Sequence, residues 1–404
     1  MPSILLKNIK QLIGISDKLK LKGFDMPQLQ SFENAYLLIE NQRIVDFGEM
    51  KNCPDRADET INCTGRLVLP AWCDSHTHLV FAASREEEFV MRIKGATYQE
   101  IAERGGGILN SARRLQVMDE NELYENSLVR LAEARKMGTR AIEIKSGYGL
   151  TVESELKMLR VIRRLKEQSD MLIKATFLGA HAMPLTYRNN RKGYTDLIIK
   201  DMLPKIAHEG LADFIDVFCE KLAFSTDETA QILEAGAKYG LKPKIHTNQF
   251  TSMGGVETAI QYKAVSVDHL EVLNKKEINA LKKSDTMATL LPTAPFFLND
   301  KHAPPARTLL ENNIAVALAT DFNPGTSPSV SMPFVLSLAC IRLRMTPEEA
   351  INAMTINGAA AMELSDKVGS IAKGKLAHLI VTKPVSSLSY LPYSFTENWI
   401  ERVI

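Results

Sequence analysis

Eight short apolar segments, separated by stretches with helical signals, constrain the fold of this 404-residue chain more than any other feature. They lie at Leu67–Cys73, Thr139–Ile144, Ile173–Leu178, Phe214–Phe218, Lys244–His246, Val265–His269, Met287–Leu291 and Ala315–Ala319. Strands that alternate with helices predict a parallel sheet. Because there are eight such units, the sequence predicts an α/β fold with a closed, TIM-like (β/α)8 barrel.

The two ends of the chain have a different character from the middle. Short strands separated by polar turns, such as Ala35–Ile39, occupy the first part of the chain, and Ala377–Thr382 resumes this pattern near the end. We therefore expect a small β-sandwich domain built from residues 1–65 together with 366–404. Residues 66–365 are expected to form the catalytic barrel domain.

Local helix signals support the predicted alternation. Ser225-Thr-Asp-Glu228 has the pattern of a capping box, and Thr346-Pro-Glu-Glu349 adds proline at the first helical position. A third helix is predicted over Glu122–Lys136, which stops before Gly138.

Composition narrows the class of partner. The chain has 49 basic and 48 acidic residues, so its net charge of +1 gives no general attraction to nucleic acid or to an anionic membrane. Lys7 and Lys10 interrupt the apolar N-terminal stretch, and no apolar run reaches the roughly 18 residues of a membrane span. The five cysteines are scattered and odd in number, which argues against a disulfide framework. We expect a cytoplasmic protein whose partner is a small molecule.

Polar residues close several of the apolar segments, at the end of the barrel where chemistry is expected. They are His76 and His78 after the first segment, Tyr148 after the second, His181 after the third, His246 and Gln249 at the fifth, His269 at the sixth and Asp321 at the eighth.

Four of these residues form a plausible ligand set for one metal ion. His76 and His78 project to the same face of an extended strand because side chains alternate along it. With His246 and Asp321 they supply three imidazoles and one carboxylate, which suit a single zinc or iron ion per chain. Asp321 could also carry a proton to a leaving nitrogen, and His269 could orient the attacking water.

Other features have weaker functional interpretations. Gly105-Gly-Gly107 could suggest a phosphate loop, but no Lys-Ser or Lys-Thr follows it and no strand immediately precedes it. A mobile loop near a pocket and an ordinary surface turn both remain open. His208, His302 and His378 lie in helical or peripheral segments, and no role is predicted for them.

Two motifs resemble the amidohydrolase superfamily: Leu-Pro-Ala-Trp-Cys-Asp-Ser-His-Thr-His78 and Ala-Thr-Asp-Phe-Asn-Pro-Gly325. Four more, in this order, resemble the imidazolonepropionase family: Gly-Gly-Gly-Ile108, Glu-Ile-Lys-Ser-Gly-Tyr-Gly-Leu150, Phe-Leu-Gly-Ala-His-Ala182 and Val-Asp-His-Leu-Glu271. The resemblance covers nearly the whole chain.

The resemblance implies a hydrolase that opens the ring amide of 4-imidazolone-5-propanoate to N-formimidoyl-L-glutamate in histidine degradation. It also implies a homodimer, with zinc or iron held by the four ligands above. The residues implied to contact substrate or product are Arg85, Tyr148, His181, Gln249, Asn323, Gly325 and Thr326. Arg85 offers a bidentate fork for the propionate carboxylate, and His181 could donate to the ring carbonyl.

Alternatives remain for individual residues. Arg85 opens an acidic helix start, Arg85-Glu-Glu-Glu88, and could pair along it. Asn323-Pro-Gly325 could form only a turn. Gln249 cannot carry a proton, so activation of water is expected to fall to His269 and Asp321.

Two other functions also remain open. One is a different cyclic-amide or deaminase-like amidohydrolase, such as a cytosine deaminase, guanine deaminase or dihydroorotase, with a second metal near Glu220 or Lys221. The other is a catalytically silent scaffold, although such proteins lose ligands and this chain keeps the full set.

Overall fold

A computed structural model describes residues 3–96, 100–101 and 106–404. The strands are β1 (Ile4–Ile13), β2 (Ser31–Glu40), β3 (Arg43–Glu49), β4 (Glu59–Asn62), β5 (Leu67–Pro70), β6 (Trp72–Thr77), β7 (Thr139–Lys145), β8 (Leu172–Ala180), β9 (Phe214–Cys219), β10 (Lys242–Thr247), β11 (Ser266–His269), β12 (Met287–Leu290), β13 (Val316–Leu318), β14 (Leu379–Thr382) and β15 (Ile400–Val403).

The principal helices, in chain order, are α1 (Glu86–Ile93), α2 (Ile108–Val117), α3 (Glu120–Lys136), α4 (Val152–Gln168), α5 (Arg191–Leu197), α6 (Leu203–Glu209), α7 (Thr226–Ala237), α8 (Gly255–Gln261), α9 (Lys275–Lys282), α10 (Thr293–Leu298), α11 (Ala306–Glu311), α12 (Met332–Ile341), α13 (Pro347–Met354), α14 (Ile356–Ala360) and α15 (Tyr390–Tyr393). Within the described ranges, no helix is both long and apolar enough to cross a membrane.

Eight of these strands, β6 to β13, form one parallel sheet in sequence order. The last strand returns to the first: Thr77 bridges Phe322 just beyond β13. The amide of His78 donates to the carbonyl of Phe322 (2.8 Å), and the amide of Asp321 donates to the carbonyl of His76 (3.0 Å). The predicted barrel is confirmed, and its first and last strands meet beside the predicted metal ligands.

Two helices begin where their capping boxes place them, and a third begins slightly earlier than predicted. Ser225 and Thr346 each accept from the backbone of the third helical residue, and Glu228 and Glu349 complete the two capping boxes. The helix predicted over Glu122–Lys136 begins two residues earlier, because Asp119 caps it.

The chain ends form a second sheet, ordered β15-β14-β5-β1-β2-β3, with β4 beside β1. Its pairings are antiparallel except those of β1 with β4 and β5. The core of this chain-end sheet is aliphatic, and includes Leu6, Ile9, Leu12, Leu37 and Val381. A separate β unit built from both termini is therefore confirmed, while the domain boundaries at 65/66 and 365/366 stay a prediction.

One predicted strand is wrong in detail. Leu67–Cys73 was expected as a single barrel strand, but it divides between the two sheets. Val68 and Leu69 pair with β14, and Ala71 donates to His378 (2.9 Å). Trp72, the next residue, donates instead to Gly138 at the start of the barrel (2.9 Å). A continuous apolar run does not reveal such a change of partner.

Candidate metal centre

The four predicted ligands converge at the mouth of the barrel. Asp321 Oδ1 lies 3.5 Å from His76 Nε2 and 3.6 Å from His78 Nε2. His246 Nε2 lies 3.3 Å from His78 Nε2. All four side chains are buried. The structure thus brings together side chains from the end of β6, from β10 and from the segment that follows β13.

Two buried aspartates face the Nδ1 atoms of two of these histidines. His76 Nδ1 lies 2.6 Å from Asp268 Oδ2, and His246 Nδ1 lies 2.9 Å from Asp216 Oδ2. A carboxylate facing Nδ1 favours the tautomer with its proton on Nδ1, which leaves the Nε2 lone pair free. Both free lone pairs then point into the cluster.

The donor set fits a divalent metal ion. His76 Nε2 is buried without a hydrogen-bond partner among the described residues. Burial holds the pKa of His76 and His78 well below the usual histidine value, and it raises the pKa of Asp321 to about 7. Zinc and iron both accept neutral imidazoles together with a carboxylate, so the unpartnered His76 Nε2 and its neighbours suit either ion.

His269 lies at the end of β11, beside the predicted ligands. Its ring centroid is 5.5 Å from that of His246 and 5.7 Å from that of His76. Its backbone has a φ of +89°, an uncommon conformation for a residue with a side chain. Burial opposes the charged form of His269, but Glu271, with a carboxylate oxygen 3.6 Å from Nδ1, outweighs it and raises the pKa.

A cleft opens above the cluster, and both polar and apolar side chains line it. Most of the residues predicted to bind substrate line it: Arg85, Tyr148, His181, Gln249, Asn323 and Thr326. Ile108, Phe218 and Phe250 also line it and were not predicted, because apolar residues beside a motif look like ordinary core residues.

Arg85 both lines the cleft and pairs along its helix, so its two interpretations are compatible. Its guanidinium donates to Glu88 through Nε (2.8 Å), and Nη2 lies 2.7 Å from the same carboxylate. Glu88 also accepts from the backbone of Gly107, while Gly105 lies outside the described residues. A Cβ on Gly325 would lie 2.3 Å from Arg85 Nη1, so a side chain at this position would displace the guanidinium.

Asn323 uses its side chain to build a turn, as its alternative interpretation held. Its Oδ1 accepts from the backbone of Gly325 and Thr326, both at 2.8 Å. Its Nδ2 donates to the carbonyl of Asp321 at 2.6 Å. Asn323 therefore shapes the segment that carries Asp321 and Gly325, at the edge of the cleft.

The position of His181 changes the role expected for it. Its Nδ1 lies 3.1 Å from the carbonyl of Gly147, which can only accept, so Nδ1 carries the proton. Burial, followed by the proximity of His246, lowers the pKa of His181 to about 3. The neutral ring therefore offers Nε2 as an acceptor, whereas the sequence suggested a donor to the ring carbonyl.

The residues considered for a second metal point elsewhere. Lys221 is exposed, and the carboxylate of Glu220 accepts from the backbone of Phe250 and Thr251. These contacts do not support a two-metal site at this pair. His208 and His302 are also exposed, in keeping with the absence of a predicted role for them.

No role was predicted from the sequence for the two aspartates that face the ligand histidines, or for the charged residues that lie with these aspartates inside the barrel. Asp216 and Asp268 interrupt apolar strands, as do Glu143, Lys145 and Lys244. A charged residue inside a buried strand needs a buried partner, and this was the available signal. The strand pattern alone does not tell which strands bring the partners.

Comparison with known proteins places the chain in a family. Residues 67–404 match the sequence model of the amidohydrolase family. An imidazolonepropionase from Flavobacterium johnsoniae is 55% identical over 99% of this chain and 98% of its own length. An imidazolonepropionase from Christiangramia forsetii is 54% identical over 99% of this chain and 98% of its own length. The solved structure of a guanine deaminase from E. coli shares the fold, with a TM-score of 0.75 at 16% identity over 100% of this chain and 97% of its own. The chain belongs to the amidohydrolase family and, within it, to the imidazolonepropionases.

Proposed function

We propose that the protein hydrolyses the ring amide of 4-imidazolone-5-propanoate to N-formimidoyl-L-glutamate, a step of histidine degradation. The observation that carries the proposal is the close approach of His76, His78, His246 and Asp321 beside a cleft that Arg85 lines. This arrangement supports a metal-ligand set and a cation for a carboxylate in one site.

The metal is proposed to be one zinc or iron ion per chain, held by the Nε2 atoms of the three histidines and by the Asp321 carboxylate. Such an ion lowers the pKa of bound water and polarises a carbonyl, which supplies a nucleophile at neutral pH. Asp216 and Asp268 hold two of the imidazoles in the tautomer that binding requires.

Substrate orientation is assigned to residues of the cleft wall. Arg85 is proposed to bind the propionate carboxylate through Nη1, since Nε and Nη2 face Glu88. His181 is proposed to accept a hydrogen bond from a ring N–H through Nε2. Tyr148 and Gln249 complete the ring pocket, and the turn from Asn323 to Thr326 borders it.

Two residues are proposed to manage protons. His269 would hold the water that attacks the ring carbonyl carbon. Asp321 would take a proton from this water and, as the ring C–N bond breaks, pass it to the leaving nitrogen. Gln249 has no acid or base function, so it serves only in binding.

The test is a substrate panel with the purified full-length protein. 4-Imidazolone-5-propanoate should disappear and N-formimidoyl-L-glutamate should form, while cytosine, guanine and dihydroorotate should be unchanged at the same enzyme concentration. Faster turnover of any of the three controls would overturn the substrate assignment. No turnover of any compound by zinc- or iron-loaded protein would favour the silent scaffold.

We also propose a cytoplasmic homodimer, on the family relationship alone. Light scattering during size-exclusion chromatography should give twice the mass of one chain, and a monomer would contradict this assembly.

A further inference from the structure

Five charged side chains are packed inside the barrel below the proposed metal ligands. This interior cluster consists of Glu143, Lys145, Asp216, Lys244 and Asp268, each at most 1% exposed. The residues come from β7, β9, β10 and β11. Burying so many charges is costly unless their geometry serves a purpose, because replacing buried ion pairs by apolar side chains is often neutral or stabilising.

Lys145 lies at the centre of the contacts in this cluster. Its ammonium donates to Glu143 Oε1 (2.5 Å) and to Asp216 Oδ2 (2.9 Å), and it lies 3.8 Å from Asp268 Oδ2. The same Asp216 oxygen faces His246 Nδ1, and the same Asp268 oxygen faces His76 Nδ1. One ammonium therefore touches the two carboxylate oxygens that orient two of the three ligand histidines.

The cluster contains three carboxyl groups and two ammonium groups. Two carboxylates so close together repel each other unless a cation lies between them. Lys145 supplies that cation and fixes the distance between the two oxygens, and thereby the directions in which the two imidazoles point.

Lys244 provides an internal comparison. It is equally buried and also pairs with Glu143. Its other contacts are backbone carbonyls, Ser75 (3.0 Å) and Ala361 (3.3 Å). Among the described ion pairs, Lys244 has none with Asp216 or Asp268, although its positive charge opposes the rise that burial causes in the pKa of Asp268. Two buried lysines thus share one carboxylate partner, but only Lys145 makes a direct contact with the aspartates that face the ligands, chiefly a hydrogen bond to Asp216.

We propose that Lys145 is a positioning residue for the metal centre, which acts through Asp216 on His246 and through Asp268 on His76. This inference rests on the metal site of the proposed function. It assigns Lys145 no contact with substrate and no proton transfer. It predicts that removal of Lys145 weakens metal binding even where the charge of the cluster is preserved.

The test compares two matched double variants of the full-length protein. Lys145→Met with Glu143→Gln and Lys244→Met with Glu143→Gln each remove one buried ammonium and one buried carboxylate. Zn²⁺ affinity is measured by competition with a chromophoric chelator on metal-stripped protein, and the visible spectrum of the Co²⁺-loaded protein reports ligand geometry.

The Lys145 variant should bind Zn²⁺ about 10- to 100-fold more weakly, which is the loss of affinity expected when groups that hydrogen-bond to metal ligands are disturbed. Its Co²⁺ spectrum should shift, while the Lys244 variant should stay within about threefold of wild type with an unchanged spectrum.

The outcomes separate the inference from the proposed function. Wild-type protein that binds no Zn²⁺ would refute the proposed metal site. Wild-type binding together with equal affinities and spectra in the two variants would refute only the role of Lys145. If the Lys145 double variant does not fold, the single variant Lys145→Arg replaces it, because arginine keeps a cation near the carboxylates but changes the geometry of the contact. This variant should bind Zn²⁺ more weakly and show a shifted Co²⁺ spectrum. Unchanged Zn²⁺ affinity together with an unchanged Co²⁺ spectrum would overturn the inference.

Discussion

The chain-end sheet and the barrel are both built from short apolar strands, yet their interiors differ in kind. The core of the sheet is aliphatic, with side chains such as Leu6, Ile9 and Leu12. The interior of the barrel below its mouth contains the charged residues Lys145 and Asp268 at 0% exposure. Apolar packing is non-directional, so it stabilises a fold without orienting particular polar groups. Buried charges lower stability, but they orient the groups with which they form hydrogen bonds or ion pairs.

This difference predicts where substitutions act. Changes at the barrel mouth should affect chemistry more than folding, and changes in the chain-end sheet should affect folding more than chemistry. At the ends of barrel strands, His269 and Asp321 adopt positive φ angles of 89° and 51°, which are uncommon for residues with side chains.

The largest effect on activity is expected for His246→Ala, which removes a proposed ligand. Metal content should fall steeply, and kcat/KM should drop more than roughly 100-fold because several kcal/mol of charge stabilisation are lost. Elemental analysis and steady-state kinetics measure the two effects. His208→Ala, on an exposed face of α6, is the control. If the His246→Ala variant retained its metal and full turnover, the expectation that substitutions at the barrel mouth affect chemistry more than folding would be wrong.

His269→Ala should lower kcat by about 10²- to 10⁴-fold with metal content unchanged, since it removes a proposed contact to the attacking water. Kinetics and elemental analysis on the same preparation test this. His269 also lies close enough to His76 and His246 for a shared ion. Loss of metal would therefore make it a ligand and contradict the role assigned here.

Arg85→Ala should raise KM about 10- to 100-fold with a smaller change in kcat, because hydrogen bonds to a charged group contribute roughly 1.5–3 kcal/mol. Arg114→Ala, an exposed position on α2, is the matched control. An unchanged KM in the Arg85 variant would show that this residue serves only its ion pair with Glu88.

The smallest effect on activity is expected for Leu12→Ala in the chain-end sheet. Leu12 is fully buried, so its truncation should lower the free energy of unfolding by about 2–5 kcal/mol. The kcat and KM of the folded fraction should remain at wild-type values. Thermal unfolding and kinetics below the melting temperature measure both. A large fall in kcat would show that the sheet also shapes the active site.

Much of the fold was predictable because its signals are local. Apolar segments alternating with capped helices predict the barrel, and Ser225 and Thr346 mark the starts of two helices correctly. The change of partner between Ala71 and Trp72 was not predictable. Both halves of that run are apolar, and only pairing with distant segments separates them.

The sequence predicted those site residues whose role follows from the residue type alone. It did not predict roles that depend on contacts with residues far away in the sequence. His76, His78, His246 and Asp321 were identifiable from their positions at strand ends. The acceptor role of His181 depends on the carbonyl of Gly147 (3.1 Å), and the link from Lys145 to two histidines runs through aspartates on two other strands. Such contacts join residues far apart in sequence, so no local pattern encodes them.

The central claim is that one metal ion occupies the convergence point of three histidines and Asp321. Elemental analysis of the purified full-length protein tests it most directly. The predicted result is one zinc or iron ion per chain. A chelator should remove this ion and abolish turnover of 4-imidazolone-5-propanoate, and adding the metal back should restore turnover. Metal-free protein with full activity, or two ions per chain, would contradict the account.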